Sequence, residues 1–216
     1  MNDFSRRLEL VEHCKKLVLL DGAAGMTANA SLRYPGGFLM TPTGLEIAEL
    51  TPADLCFVTF AGECTGRFPP SPEWLAHRDL YVNRPDLCAL IQSQPTHATA
   101  LACMGKAIPA FHYMIVLAGG KDIRCAPYGT FGTQRLADAI VQAFRDRKAC
   151  LVAQSGLFVG GENLPKAYEL TREIEQLAKM YLIASRNGEP AILPDDEVKR
   201  IGVKFSAGGV VKPGAY

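Results

Sequence analysis

The stretch Ala149-Cys-Leu-Val-Ala-Gln-Ser-Gly-Leu-Phe-Val159 decides the fold class, because two apolar runs in it flank a short polar turn. Residues 149–153 and 157–159 predict a pair of strands, and Gln154-Ser-Gly predicts the turn between them. Three further strand-like runs stand at residues 37–41, 55–60 and 88–93. These strands outnumber what an alternating βαβ order needs. We therefore predict an α/β fold with a central, mostly antiparallel sheet.

Helical patterns lie between the strands and predict helices that cover the sheet on both sides. They occupy residues 8–21, a segment that opens at Ser71-Pro-Glu-Trp, and residues 96–104, 130–145 and 164–185. Ser71 is expected to cap its helix, with Pro72 at the first position. Residues 113–117 fit either a strand or a short helix. We predict one domain over residues 1–216, with a flexible C-terminal tail from about residue 205.

The composition narrows the function classes. The chain has 216 residues, a formal net charge of +1 and seven cysteines without a CxxC pair. The balanced charge gives no support to binding of nucleic acid or of a membrane surface. Cysteines in apolar segments and the lack of a signal peptide predict free thiols and a cytoplasmic location. Neither a phosphate-binding glycine loop nor a GxSxG sequence is present, so nucleotide binding and serine hydrolysis have no local support.

Six short motifs follow one another along the chain and carry more information together than any of them alone. They are Asn29-Ala-Ser-Leu-Arg, Thr41-Pro-Thr-Gly, Ser71-Pro-Glu-Trp, Ile91-Gln-Ser-Gln-Pro, Ile108-Pro-Ala-Phe-His-Tyr-Met-Ile and Ala126-Pro-Tyr-Gly-Thr-Phe-Gly-Thr. In this order and spacing the chain resembles the class II aldolase/adducin family, most closely its L-fuculose-1-phosphate aldolase branch. The resemblance runs from about Leu8 to about Pro194 and implies the class II aldolase fold.

The resemblance implies an anion site. In the aldolases, backbone amides and hydroxyls hold the phosphate of a sugar phosphate, and Asn29, Thr43, Gly44 and Ser71 match those positions. Amides beside a helix N-terminus suit negative charge. Pro72 replaces a second serine of the family, and proline offers neither a hydroxyl nor an N–H. The implied substrate is a small molecule that is phosphorylated or carboxylated.

The resemblance also implies catalytic residues. Glu73 matches the family's acid/base residue, which moves a proton at the carbon next to a carbonyl. Without that role, Glu73 would be a favourable negative charge in the first turn of a helix. Tyr113 and Phe131 match aromatic positions that line the pocket. We take Tyr113 as a second candidate catalytic residue and Phe131 as a substrate-binding residue.

The family's metal ligands are the main departure. The family holds zinc with a His-x-His pair on a strand and a third histidine about sixty residues later. Those positions here are Gln92, Gln94 and Ser155, and neutral amides and hydroxyls are weak ligands for zinc. We therefore expect no zinc and no other cofactor. We predict instead that these three side chains bind substrate oxygens, with amide donors stabilising negative charge.

Three functions stay open from the sequence. The first is a metal-independent lyase or isomerase that acts on a small carbonyl or hydroxy compound through an enolate-like intermediate. The second is a non-catalytic relative that binds a ligand or serves as an assembly subunit. The third is a conventional sugar-phosphate aldolase. The resemblance further implies a homotetramer. The family's C-terminal tyrosine is not matched, since Gly209 stands there and the register of Tyr216 is not anchored.

Overall fold

A computed structural model describes residues 3–21 and 28–206, and an eight-stranded sheet forms its centre. The strands are β1 (Asn29–Tyr34), β2 (Gly37–Met40), β3 (Cys56–Thr59), β4 (Cys64–Thr65), β5 (Ala89–Ser93), β6 (Cys125–Ala126), β7 (Ala149–Val152) and β8 (Gly156–Gly161). The helices are α1 (Asp3–Asp21), α2 (Trp74–Asn83), α3 (Thr96–Cys103), α4 (Gln134–Ala143), α5 (Leu164–Ala184) and α6 (Asp195–Ser206). Short 3-10 helices lie at Ile47–Glu49, Pro52–Asp54, Tyr113–Ala118 and Ser185–Asn187.

The strand order is β4-β3-β2-β1-β5-β8-β7-β6, and every neighbouring pair is antiparallel except β6 and β7. The prediction of a mostly antiparallel sheet is therefore confirmed. The central pair, β1 and β5, places Asn29 directly opposite Gln92. Two of the six sequence motifs thus meet across one strand pair.

Helices cover both faces of the sheet, as predicted. Strand β7 shows how the sequence achieves this, since its side chains alternate between the two faces. Cys150 and Val152 pack in the cluster that contains α2 and α4, whereas Ala149 and Leu151 pack with α3 and α5. A third cluster packs α1 against β1 and β5, and the start of α5 belongs to the same cluster.

Burial on both faces favours strands that are apolar at nearly every position. The buried side chains of β5 and β8 follow this rule, and full burial of each large apolar group stabilises the fold by about 1.5–3 kcal/mol. Asn29, Ser31 and Gln92 are exceptions, because they are buried polar residues on the face that α2 covers. Such groups need hydrogen-bond partners, and theirs lie at the site described below.

The run at residues 113–117, for which a strand and a short helix were both left open, is a 3-10 helix at Tyr113–Ala118. Three other helices differ from the predictions. Helix α2 begins at Trp74, because Ser71–Glu73 form a preceding turn in which Trp74 N–H donates to the Ser71 carbonyl at 3.0 Å. Helix α4 begins at Gln134, capped by the Thr133 hydroxyl. The third difference is a helix in the region where the tail was expected to begin.

Helix α6 extends to Ser206, so residues 205 and 206 belong to a helix and not to a flexible tail. Its start carries a helix signal that the sequence reading missed, with three acidic residues in the first turn after Pro194. Residues 207–216, with Gly209 and Tyr216, lie outside the described part of the chain. Within the described part, no helix is long and apolar enough to cross a membrane.

Candidate active site

A cavity of about 560 Å³ opens where β1, β5, the β7–β8 turn and the start of α2 meet. Nine of the ten predicted site residues line it, namely Asn29, Thr43, Gly44, Ser71, Glu73, Gln92, Gln94, Phe131 and Ser155. They come from segments that are up to 126 residues apart in sequence, from Asn29 to Ser155. The fold therefore brings these nine predicted residues together in one place, as the resemblance implied.

Glu73 is the only charged side chain among the described residues that line the cavity. It immediately precedes α2, so the direction of that helix sets its position. Partial burial raises the pKa of its carboxyl group above the ordinary value of 4.5. No hydrogen bond or ion pair joins the carboxylate to another described residue. A carboxyl group with these properties is suited to act as a general acid and base.

Gln92 forms the inner end of the cavity and is held by Asn29 from the neighbouring strand. The Asn29 side-chain amide donates to Gln92 Oε1 at 2.6 Å, and Asn29 Oδ1 lies 2.8 Å from His77 Nε2. His77 lies on α2 one turn after Glu73 and is fully buried. Burial lowers its pKa to about 3, so its imidazole is neutral. His77 is a structural histidine that supports the cavity from beneath.

Gln94 and Ser155 lie on the two segments that approach each other at Gly156. A Cβ atom added to Gly156 would lie 2.5 Å from the Ser93 carbonyl oxygen and 3.2 Å from Gln94 Cγ. Glycine at this position therefore lets the β7–β8 turn pack directly against the end of β5. The turn is also tied to α3, since Gln154 N–H donates to the Ala102 carbonyl at 3.3 Å.

The predicted anion site has fewer free amides than the motifs suggested. The Thr43 N–H donates to the Pro69 carbonyl at 3.0 Å, and the Ser71 N–H donates to the Thr41 carbonyl at 3.1 Å. Gly44 N–H has no partner among the described residues, and the Gly44 backbone has a φ of +81° with open space beside it. The hydroxyl groups of Thr43 and Ser71 and this one N–H are the donors left for an anion.

Two aromatic rings stand at the mouth of the cavity. Phe131 is 69% exposed there, and Tyr128, which the sequence reading did not select, is 58% exposed. Tyr128 belongs to the motif that begins at Ala126, so that motif was the signal for it. Gln154 was also missed, although it is adjacent to Ser155 in the same turn.

Tyr113 does not line the cavity in a single chain, and its catalytic role stays a prediction. It begins a 3-10 helix that packs with α5 and α6, and its ring lies 6.4 Å from that of Phe205. A single sequence does not specify the sheet face on which this helix lies. At 51% exposure, the Tyr113 ring is open to solvent in a single chain.

The family profile described as Class II Aldolase and Adducin N-terminal domain matches residues 8–182. The chain belongs to this family. It is 41% identical over 200 residues to the 5-methylthioribulose-1-phosphate/5-deoxyribulose-1-phosphate aldolase of Rhodospirillum rubrum, covering 93% of this chain and 90% of that protein. It is 37% identical to the L-fuculose phosphate aldolase of Escherichia coli K12, with 94% of each chain covered.

A solved L-fuculose 1-phosphate aldolase superposes on the chain with a TM-score of 0.90 at 37% identity, covering 94% of this chain and 96% of that one. The fold of the aldolase family is therefore shown along nearly the whole chain. Since Glu73, Gln92 and Ser155 lie inside the matched region, the cavity occupies the part of the fold that these proteins share.

The prediction that the chain has no cofactor is wrong. Its relatives are aldolases of the fuculose phosphate type, which are zinc-dependent, and nothing in the comparison shows that the metal site is lost.

The cavity residues nevertheless differ from the donors that zinc prefers. Glu73 offers a carboxylate, Gln94 an amide and Ser155 a hydroxyl, while Gln92 Oε1 already accepts a hydrogen bond from Asn29. The described residues contain no group of three or more His, Cys, Asp or Glu side chains that would hold a metal ion. This donor set does not fit the imidazole, thiolate and carboxylate ligands of zinc.

Proposed function

We propose that the chain is an aldolase that cleaves a carbon–carbon bond in a small ketose phosphate. The observation that carries this proposal is the meeting of nine predicted site residues in one cavity that contains a single carboxylate, Glu73. The names of the relatives, which are aldolases of methylthioribulose, deoxyribulose and fuculose phosphates, support it.

Cleavage of a ketose 1-phosphate between its third and fourth carbons requires two proton movements. The hydroxyl group on the fourth carbon gives its proton to a water molecule, the bond between the third and fourth carbons breaks, and an aldehyde leaves. The electron pair remains on the other fragment as an enediolate, which then takes a proton at the third carbon to give dihydroxyacetone phosphate. Glu73 would supply that proton, because its raised pKa keeps part of the population protonated at higher pH than an ordinary carboxyl group.

The phosphate group would be held by neutral donors. We assign it to the part of the cavity formed by Thr43, Gly44 and Ser71, because two hydroxyl donors and one unpaired N–H lie there beside the start of α2. No lysine or arginine lines the cavity within the described part of the chain. Hydrogen bonds from neutral groups to a charged acceptor contribute about 1.5–3 kcal/mol each. A few such donors are therefore enough for binding of a sugar phosphate.

A second copy of the chain would complete the site. The exposed rings of Phe131 and Tyr128 stand at the cavity mouth, and the family resemblance implies a homotetramer. We expect light scattering to give a mass of about four chains at assay concentration. A monomer with full activity would contradict this part of the proposal.

The test of the function is a cleavage assay on three substrates: 5-methylthioribulose 1-phosphate, 5-deoxyribulose 1-phosphate and L-fuculose 1-phosphate. Release of dihydroxyacetone phosphate is followed through a coupled reductase. We expect cleavage of at least one substrate, and we expect Glu73→Gln to lower kcat by about 10²–10⁴-fold. Glu46→Gln is the matched control, since Glu46 is an exposed carboxylate on the loop after Gly44. Absence of cleavage with all three substrates would favour the non-catalytic alternative.

The same assay measures the dependence on metal. Wild-type protein is assayed as isolated, after treatment with a chelator, and after zinc or magnesium is restored, with metal content measured by mass spectrometry. Activity that is lost with the chelator and restored by zinc assigns the polarisation of the carbonyl to the metal. Activity that survives complete removal of metal assigns it to the protein's side chains.

A further inference from the structure

A chain of buried hydrogen bonds runs beneath the cavity from α2 to Gln92. Tyr81 OH lies 2.9 Å from Ser31 Oγ, and Ser31 Oγ lies 2.7 Å from His77 Nδ1. The other ring nitrogen of His77 contacts Asn29 Oδ1 at 2.8 Å, and Asn29 Nδ2 contacts Gln92 Oε1 at 2.6 Å. Ser31 and His77 are fully buried, and Asn29 and Gln92 are nearly so. These contacts between side chains are therefore shielded from water.

The chain of hydrogen bonds has a direction. Because Asn29 presents its oxygen to His77, the Nε2 atom of the neutral imidazole must carry the proton, and Nδ1 must accept. Nδ1 accepts from the Ser31 hydroxyl, which leaves Ser31 Oγ to accept from the Tyr81 hydroxyl at 2.9 Å. The Cys88 carbonyl, at 3.4 Å, is a second acceptor for that hydroxyl. The Asn29 amide then donates to Gln92 Oε1. Every proton in the series points towards the cavity.

The direction of these hydrogen bonds determines which group Gln92 offers to a ligand. Since the oxygen of the Gln92 amide already accepts from Asn29, its NH₂ group, which has no partner among the described residues, is the donor that it offers to a ligand. With the opposite direction, His77 would carry its proton on Nδ1 and both amides would be turned. Gln92 would then present its carbonyl oxygen, which is a ligand for cations and not for a substrate oxyanion.

We propose that His77, acting through Asn29, orients the Gln92 amide so that its NH₂ group donates a hydrogen bond to a substrate oxygen. His77 is a positioning residue in this proposal, and Gln92 is the group that touches the substrate. The inference rests on the proposed aldolase function, where negative charge grows on the carbonyl oxygen during cleavage. Loss of one such donor lowers kcat by about 10²–10³-fold in other enzymes.

The first experiment determines the direction of the hydrogen bonds from the His77 tautomer and needs no activity measurement. Protein labelled with ¹⁵N-histidine gives a long-range ¹H–¹⁵N spectrum in which the two neutral tautomers have different patterns. The chain has four histidines, so variants with Gln in place of His13, His97 or His112 assign the His77 signals. We expect a protonated Nε2 and an unprotonated Nδ1. A protonated Nδ1 would overturn the proposal even if the protein is an active aldolase.

The second experiment uses an isosteric change. Gln92→Glu keeps an oxygen to accept from Asn29 and replaces the NH₂ group by a second oxygen. If Gln92 is a donor, this variant loses about 10²-fold in kcat while its unfolding midpoint stays close to that of the wild type. If Gln92 instead presents an oxygen to a cation, the added negative charge maintains or raises activity, and the proposal fails.

The third experiment tests whether His77 acts through Gln92. His77→Phe is compared in the wild-type background and in the Gln92→Ala background, with rates taken per folded protein. We expect a loss of about 10-fold or more in the first background and almost none in the second. Equal losses in both would show a purely structural role for His77. If the wild type cleaves no substrate, the proposed function fails, while the tautomer measurement still decides the direction of the network.

Discussion

The inner wall of the cavity and its rim are built in different ways. The inner wall, formed by Asn29, His77 and Gln92, lies on regular strands and a helix and is joined by buried hydrogen bonds. The rim, formed by Thr43, Gly44 and Phe131, lies on loops and is exposed. The wall therefore fixes a polar group in one orientation. The rim leaves its donors open for a ligand or for a neighbouring copy of the chain.

The largest effect on stability is expected at the wall. Asn29→Leu leaves His77 Nε2 and Gln92 Oε1 buried without partners, and each unsatisfied group costs about 1–3 kcal/mol. We expect the free energy of unfolding to fall by about 2–6 kcal/mol, measured by urea denaturation. Asn83→Leu is the control, because Asn83 is exposed at the end of α2. Equal losses for both variants would mean that the network does not stabilise the wall.

The residues of the inner wall were predicted better than the hydrogen bonds that join them. Strand β5 was expected from its apolar run, and the resemblance selected both Asn29 and Gln92. The contact between them depends on the register of β1 and β5, which a single sequence does not specify. The role of His77 was missed for the same reason, since its partners are 46 and 48 residues away in sequence.

The differences elsewhere also have physical causes. Tyr113 matches a pocket position by its motif and lies on a 3-10 helix that packs with α5 and α6, because tertiary contacts decide the sheet face on which a short apolar helix packs. Helix α2 was placed too early, because the turn at Ser71 satisfies the same backbone groups as a first helical turn. Helix α6 was overlooked although three acidic residues mark its start. The prediction of no cofactor was wrong because it rested on three ligand positions, whereas the family relationship extends over residues 8–182.

A smaller effect on stability is expected at Glu73, which lies between the wall and the rim. Its pKa is raised in the folded protein. The folded state therefore binds a proton at Glu73 more tightly than the unfolded state does, and it is less stable when this carboxyl group is charged. The associated stability is complete below the ordinary pKa of 4.5 and is lost as the pH rises through the folded-state value. We therefore expect Glu73→Gln to unfold at a higher urea concentration than wild type at pH 7. The difference should disappear near pH 4.

The pH dependence of proton transfer gives a second readout of the same group. Exchange of the carbon-bound proton of dihydroxyacetone phosphate with D₂O requires the unprotonated form of Glu73. The rate should rise with pH, with a midpoint above 4.5, and the Glu73→Gln variant should lack this step. A midpoint at or below 4.5 would show that partial burial of this carboxyl group does not control the reaction.

The smallest effect on stability is expected at the rim. Thr43 is exposed, and its backbone N–H donates to the Pro69 carbonyl. A change of the Thr43 side chain does not remove that hydrogen bond. Thr43→Val removes only the hydroxyl, so the free energy of unfolding should change by no more than about 0.5 kcal/mol. Binding should change more, since one hydrogen bond to a charged phosphate is worth about 1.5–3 kcal/mol, or roughly 10–150-fold in KM. An unphosphorylated ketose should show no such change, because it lacks the group that the hydroxyl contacts. If both ketoses were affected equally, Thr43 would be a general part of the rim, and the phosphate would have to be held by the start of α2 and Gly44 alone.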